Sequence, residues 1–236
     1  MRSGGAGHLK HQFIDYGSVS EANSLALGRD SRYARWGKAL FDLGLGLMLL
    51  PVLLPVILVL CVLVAMDGGL PIFGHKRIGK DGREFRCWKI RTMVVDAELQ
   101  RESLQDANEK DGPLFKMKSD PRVTRLGSLL RKSSLDELPQ IWNVIRGDMN
   151  LVGPRPLPVS DLSGIKGDLE AEFWYEQRVK VKPGITGLWQ VSGRSDLGFK
   201  EMIRYDMEYI RNWSLWLDIS ILLKTVPAVI KRSGAH

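Results

Sequence analysis

Two adjacent carboxylates, Asp136 and Glu137, lie in the stretch Leu130-Arg-Lys-Ser-Ser-Leu-Asp-Glu-Leu-Pro-Gln140. A carboxylate can act as a covalent nucleophile and divide a difficult displacement into two easier ones. That chemistry on a phosphorylated substrate needs an ionised nucleophile and concentrated positive charge. Asp136 is placed for it near the start of a helix, whose dipole favours anions, with Arg131 and Lys132 just upstream. The same helix end suits a bound phosphate. Ser134 and Glu137 have capping-box spacing. Pro139 fits better if the helix begins nearer Asp136, because a first-turn proline loses no helical hydrogen bond. Both starts stand. A lone Asp-Glu pair more often merely caps a helix, so the weight of this reading falls on its surroundings.

The elements around the pair are mostly helical. Glu84–Arg91 reads as a short extended piece between turns at Pro71–Gly74 and Gly79–Gly82. Met93 to Lys110 reads as a charged, weakly amphipathic helix stopped by Asp111-Gly112-Pro113. Arg122–Lys132 gathers Val123, Leu126, Leu129 and Leu130 on one helical face, with Arg122, Arg125, Arg131 and Lys132 around it. Asp136–Arg146 is the next helix, followed by a Gly/Pro-rich loop over Leu151–Pro156. Two more helices are expected at Glu170–Val179 and Phe199–Asn212.

Upstream, Leu43 to Ala65 contains no charged residue. It amounts to roughly 35 Å if helical, against a hydrocarbon core of about 30 Å. Pro51 and Pro55 lie inside it and should kink it. Both flanks are basic: Arg29, Arg32, Arg35 and Lys38 before, then Lys76, Arg77, Lys80, Arg83 and Arg86 after. Lysine and arginine favour the cytoplasmic side, so two basic flanks suit a bent segment that enters and leaves by one face. A straight span stays open on charge alone. The block starts too far in for an ordinary secretory signal and has no clean cleavage site, so it is read as a retained anchor. Trp213 to Ile230 is apolar but interrupted by Asp218 and Lys224. It suits a helix lying in the membrane interface, with a core helix as the alternative.

The chain has 236 residues, a formal charge of +7 and 44% hydrophobic residues, with a pI near 9.5. Such a balance suits anionic partners. Nucleic acid is disfavoured, since the charge forms no basic recognition helix and no aromatic-studded sheet. Two cysteines, Cys61 and Cys87, make no framework of bridges and point to a reducing, cytosol-facing location. Four scattered histidines (His8, His11, His75, His236) offer no zinc-like cluster.

Three further motifs complete the pattern: Cys87-Trp-Lys-Ile-Arg-Thr-Met93, Gly147-Asp-Met-Asn-Leu-Val-Gly-Pro-Arg-Pro156 and Val181-Lys-Pro-Gly-Ile-Thr-Gly-Leu-Trp-Gln-Val191. With the Asp-Glu segment, they resemble the bacterial sugar transferase family, the monotopic polyprenyl-phosphate phosphoglycosyl transferases. The resemblance runs from Trp36 to the C-terminus. Within the family the chain is most similar to small exopolysaccharide-initiating hexose-1-phosphate transferases, judged by Gly187-Leu-Trp-Gln-Val-Ser-Gly-Arg-Ser195 and Asn212-Trp-Ser-Leu-Trp216.

The resemblance implies a ping-pong reaction. Asp136 attacks the sugar-linked phosphate of a UDP-sugar, UMP leaves, and a polyprenyl (undecaprenyl) phosphate takes the phospho-sugar from the aspartyl intermediate. It implies Mg²⁺ with Glu137 as its ligand, and Lys89, Arg131, Arg155, Lys182 and Asp206 as substrate- or phosphate-binding positions. Lys182 stands where other members often carry arginine, which puts a bidentate grip there in doubt. Arg155, between two prolines, sits in a loop stiff enough to aim a guanidinium. The resemblance also favours the re-entrant anchor bent at Pro55, with Pro51 sharing the bend.

The expected architecture is therefore α+β and mostly α. A flexible lead (1–31) precedes a re-entrant membrane anchor (32–68) and a compact cytoplasmic catalytic domain with an interfacial C-terminal helix (69–236). The expected partners are a UDP-sugar, polyprenyl phosphate and lipid of the cytoplasmic (inner) membrane, with no nucleic acid, and the apolar anchor allows a homodimer. The competing class is a non-catalytic, basic membrane-attached scaffold, which would take up no radiolabel from a UDP-sugar labelled in its phosphate.

Overall fold

A computed structural model describes residues 31–97, 99–100, 120–159, 169–192 and 199–230. The expected lead, most of the expected 93–110 helix and its Asp-Gly-Pro stop lie outside these residues. The fold is mostly helical with two small sheets, an α-rich α+β arrangement.

A π-helical turn, Tyr33–Gly37, leads into the long helix α1, Lys38–Ala65. Among the described residues, Tyr33–Ala65 is the one helix long and apolar enough to cross a membrane. Pro51 and Pro55 lie inside it. Its buried positions, Lys38, Asp42, Gly46, Ile57 and Val64, recur every three or four residues once half-buried Leu50, Leu53 and Cys61 are added. They form one stripe along the helix. The opposite face leaves Leu40, Met48, Val52, Val59 and Val62 exposed. At 1.5 Å per residue α1 is about 42 Å long, and it touches the rest of the protein along that whole length.

Its first turn closes a buried ionic knot. Lys38 Nζ lies 3.0 Å from Asp42 Oδ1 and 2.8 Å from Asp218 Oδ2. The hydroxyls of Tyr33 and Tyr209 donate to Asp218 at 2.5 and 2.8 Å. Lys38, named in the sequence as one of the basic residues flanking the apolar block, is buried. Asp218, read as an interruption of the C-terminal apolar helix, faces inward and is fully buried. Mid-helix, Gly46 faces Val144, Ile141 and Ile145. At the far end Val64 packs with Ile90 and Leu130, and Arg91 donates to the Val64 carbonyl at 2.9 Å and pairs with Asp67.

Strands β1 (Ile72–Ile78) and β2 (Glu84–Ile90) form an antiparallel hairpin with Ile72 opposite Ile90 and Ile78 opposite Glu84. The chain does not turn helical at Met93. Met93 bridges Val123, the Thr124 N–H donates to the Thr92 carbonyl, and the Val94 N–H donates to that of Arg122. These pairings extend β2 and override local helix propensity.

Helix α2 (Arg125–Lys132) starts three residues later than expected. Thr124 caps it, its hydroxyl accepting from the Gly127 N–H at 2.9 Å. Arg122 is instead buried against Asp120. Gly127 is required: a Cβ there would sit 2.0 Å from the Thr92 carbonyl oxygen. Bare backbone therefore lets α2 lie directly on the end of β2.

A 3-10 stretch, Leu135–Gln140, runs into α3, Ile141–Arg146. Then come β3 (Asn150–Val152), α4 (Leu169–Arg178), β4 (Gly184–Thr186), α5 (Leu188–Ser192), α6 (Phe199–Arg211) and α7 (Leu215–Ile230). Strands β3 and β4 are parallel, Asn150 opposite Gly184 and Val152 opposite Thr186. The main core joins Cys87, Ile141, Val144, Met149, Val152, Trp174, Met207, Tyr209 and Ile221. The loop expected from Leu151 thus begins only after Val152, and it leaves a well-packed strand.

Candidate active site

The 3-10 stretch starts after Ser134, which is in the left-handed region at φ 55°. The expected start at Ser134 holds by position, but no capping box forms and the serine side chain caps nothing. The reason lies in the Glu137 carboxylate. Instead of reaching back to Ser134, its Oε1 accepts from Lys89 Nζ at 2.7 Å and from Arg155 Nη2 at 3.1 Å. Pro139 is buried in this tight turn, and the chain relaxes into α-helix only after Gln140. The missing proline donor is confined to the 3-10 segment.

Asp136 is 8% exposed, and its Oδ2 lies 3.7 Å from Lys89 Nζ. The Arg131 charge acts on it as well, and the Arg131 guanidinium is steered by Nε donating to Thr92 Oγ1 at 2.9 Å. Lys132, expected to help, is exposed. Lys89, Asp136, Glu137, Arg131 and Arg155 thus come together where β2, the 3-10 turn, α2 and the 153–156 loop meet. A hollow beside them is lined by Arg77, Cys87, Lys89, Glu137, Gln140, Arg155, Pro156, Gly184 and Ile185.

The two carboxylates are in opposite electrostatic states. Burial pushes Asp136 above the ordinary carboxylate range and the Glu137 charge adds to it. Lys89, Arg131 and Arg155 oppose without reversing the sign. Burial also works against Glu137, but Lys89 and Arg155, by charge and by hydrogen bond, hold it well below its ordinary value. The sequence suggested that nearby cations keep Asp136 ionised. Here Lys132 is exposed, Arg131 acts on Asp136 without reversing its shift, and Lys89 and Arg155 are engaged by Glu137.

Two of the expected site residues stand apart. Asp206 is 1% exposed and pairs with Arg178 Nε at 2.6 Å. Arg178 in turn donates to the Arg155 main-chain carbonyl. Asp206 therefore supports the Arg155 loop from behind. The Lys182 ammonium lies beside Gly147, at the C-terminal end of α3, the opposite end of the helical run from Asp136. The sequence reading missed Arg178, Thr92 and Gln140. Only Arg178 left a trace, as an arginine closing an aromatic-rich helix next to the Lys-Pro-Gly motif.

Strand β4 closes one wall of the hollow by close backbone contact. A Cβ on Gly184 would lie 2.1 Å from the Gly153 amide nitrogen. This contact sets the loop Gly153-Pro-Arg-Pro156 against Gly184-Ile185.

Among the described residues no three His, Cys, Asp or Glu side chains converge on a metal site. Asp136 and Glu137 supply two hard carboxylates, and Mg²⁺ commonly takes one or two of these and completes its shell with phosphate oxygens and water. Of the two, Glu137 is the one held charged and so the one that could take a Mg²⁺.

The bacterial sugar transferase family description matches residues 33–232. The chain belongs to the bacterial sugar transferase family. It is 48% identical over 207 residues to a UDP-galactose-lipid carrier transferase of Erwinia amylovora, covering 86% of this chain and 42% of that protein. It is 42% identical over 212 residues to an undecaprenyl-phosphate galactose phosphotransferase of Salmonella typhimurium, covering 87% of this chain and 43% of the relative. The exopolysaccharide production protein ExoY of Sinorhizobium fredii is 42% identical over 204 residues, covering 84% of this chain and 88% of the relative. The chain thus spans less than half the length of the first two relatives and most of the third.

Proposed function

We propose that this family member transfers a hexose-1-phosphate from a UDP-sugar to a polyprenyl phosphate, the initiating step of exopolysaccharide or glycoconjugate assembly. The observation that carries this reading is a buried Asp136 under the charges of Lys89, Arg131 and Arg155, beside a hollow that Lys89, Glu137 and Arg155 line. Two relatives bear galactose in their names. Galactose and glucose are the leading donor sugars.

In the proposed first step an Asp136 carboxylate oxygen bonds to the sugar-linked phosphorus. The phosphoanhydride bond breaks, and UMP leaves with the electron pair. In the second, an oxygen of the lipid phosphate attacks the same phosphorus and the Asp136 carboxylate leaves. One anhydride replaces another, so little net driving force is needed. Lys89 and Arg155, which grip Glu137 in the free protein, can swing part of their charge to the incoming diphosphate. Mg²⁺, held through Glu137, would neutralise diphosphate charge when bound.

The anchor is proposed to be re-entrant. Both ends of α1 are tied to one catalytic domain, the first turn through Lys38–Asp218 and the last through Arg91 and Val64. A straight crossing would put the domain contacts of one end on the far side of the bilayer from those of the other. Exposed Trp216, Leu223 and Val226 on α7 and Trp36 beside α1 support interfacial contact. On this reading the catalytic domain faces the cytoplasm at the inner membrane.

The test is UMP release from a panel of UDP-sugars, with membranes, polyprenyl phosphate and Mg²⁺, together with protein labelling from UDP-[³²P]sugar. Label on the wild type that is absent from Asp136→Asn is expected. No UMP from any UDP-sugar would overturn the proposal and favour a membrane scaffold.

A further inference from the structure

The loop that carries Arg155 cannot order itself. Pro154 and Pro156 have no N–H, and each fixes its own φ. The main-chain carbonyls must find partners elsewhere. The Val152 carbonyl accepts from the Tyr209 hydroxyl at 3.0 Å. Pro154 accepts from the Gly184 N–H at 2.8 Å, and Leu157 from the Ile78 N–H at 3.0 Å. Pro156 accepts from Arg77 Nη1 at 3.1 Å.

The Arg155 carbonyl belongs to the one residue of this loop whose side chain reaches Glu137, and Arg178 is the group that holds it. Arg178 is 5% exposed, and its Nε is committed to Asp206. Its fork therefore serves two acceptors at once, which a lysine ammonium could not do in the same plane. A buried ion pair is a weak source of stability, because desolvation consumes most of its attraction. With the flanking φ angles fixed by proline, clamping this carbonyl sets the peptide plane from which the Arg155 side chain departs.

We infer that Arg178 is a positioning residue: braced by Asp206, it acts through the Arg155 main chain to set the Arg155 guanidinium against Glu137. Its consequence for turnover rests on the phosphoglycosyl transfer reading, whereas its effect on the Arg155–Glu137 contact does not.

Two experiments test it on the full-length protein. In the first, UMP release is compared for R178Q, R155M and R155M/R178Q. R178Q is expected to lower turnover about thirtyfold in the wild-type background and to change it by less than about twofold once Arg155 is gone, as residues acting in series do. Losses that multiply would overturn the inference. In the second, a thermal double-mutant cycle between R155M and E137Q is run with Arg178 present and again in R178Q/D206N. The double replacement avoids leaving Asp206 as a lone buried charge. A coupling of about 3 °C in Tm is expected with Arg178 and none without it. Coupling that survives would overturn the inference. Because the second cycle uses no substrate, lost coupling in a protein that releases no UMP would uphold Arg178's role and refute the transfer reading. Turnover with coupling retained would do the reverse.

Discussion

Neutralising either of the two neighbouring carboxylates should move stability in opposite directions. Asp136 is pushed up by burial and by Glu137, so in its charged form it costs the folded state free energy. A raised carboxyl gives a penalty that is complete above its folded pKa and disappears as pH falls toward the unfolded value. Asp136→Asn removes that penalty and keeps the shape. A gain of about 1 kcal/mol is expected, within the range seen when a function-bearing charge is relieved. At about 2–4 °C per kcal/mol for a chain of this size, Tm rises by about 3 °C.

Glu137 is the reverse case, held low by Lys89 at 2.7 Å and Arg155 at 3.1 Å. Its stabilisation is full above the unfolded carboxylate value near about 4.3 and is lost only as pH falls below that toward the folded value. Glu137→Gln strands two cations, at a cost of about 3 kcal/mol, or a fall of about 6–12 °C. Differential scanning fluorimetry of detergent- or nanodisc-held protein, from pH 8 down to 5.5, reads both effects. The E137Q deficit should stay flat across that window, and the D136N advantage should never grow as the pH falls. Shifts of the same sign for both variants would refute the electrostatic assignment.

Other substitutions probe the supports. Gly127→Ala drives a methyl into the Thr92 carbonyl and should cost about 3 kcal/mol, read as a Tm fall. Tyr209→Phe removes the donor to both Asp218 and the Val152 carbonyl. It is expected to cost about 2 kcal/mol, with faster amide exchange at Gly153. Thr92→Val releases the Arg131 guanidinium. It should lower UMP release about tenfold while Tm moves by less than about 2 °C.

The helical skeleton was largely legible, because α2, α4, α6 and α7 announce themselves by apolar spacing and by breakers at their ends. The cluster of Lys89, Arg131, Asp136, Glu137 and Arg155 was reachable through motif resemblance. What sequence could not carry was competition for partners. Ser134 and Glu137 have capping-box spacing, yet the carboxylate is claimed by a cation from β2, 48 residues earlier, and one from the 153–156 loop, 18 residues later. Asp218 looked like a flaw in an interfacial helix because its partners, Lys38 and Tyr33, lie about 180 residues earlier. The segment after Met93 has helical composition but is captured by Arg122 and Thr124. The partner of Arg178 was not legible, because it is a main-chain carbonyl and no residue-type pattern marks such a contact.

The ionic knot at the head of α1 also bears on how the protein can be handled. Trimming away residues up to Ala65 to obtain a soluble fragment would take Lys38 and Tyr33 from Asp218 and strip the cover from Ile90, Leu130 and Val144. The remnant would hold a buried anion with no cation beside it, left with the Tyr209 hydroxyl, and a raw greasy trough along one side. A water-soluble derivative is better sought by recolouring the outward residues of this helix, such as Met48, Val52 and Val59, with polar side chains. The helix is as much a rib of the folded body as a candidate tether to a membrane.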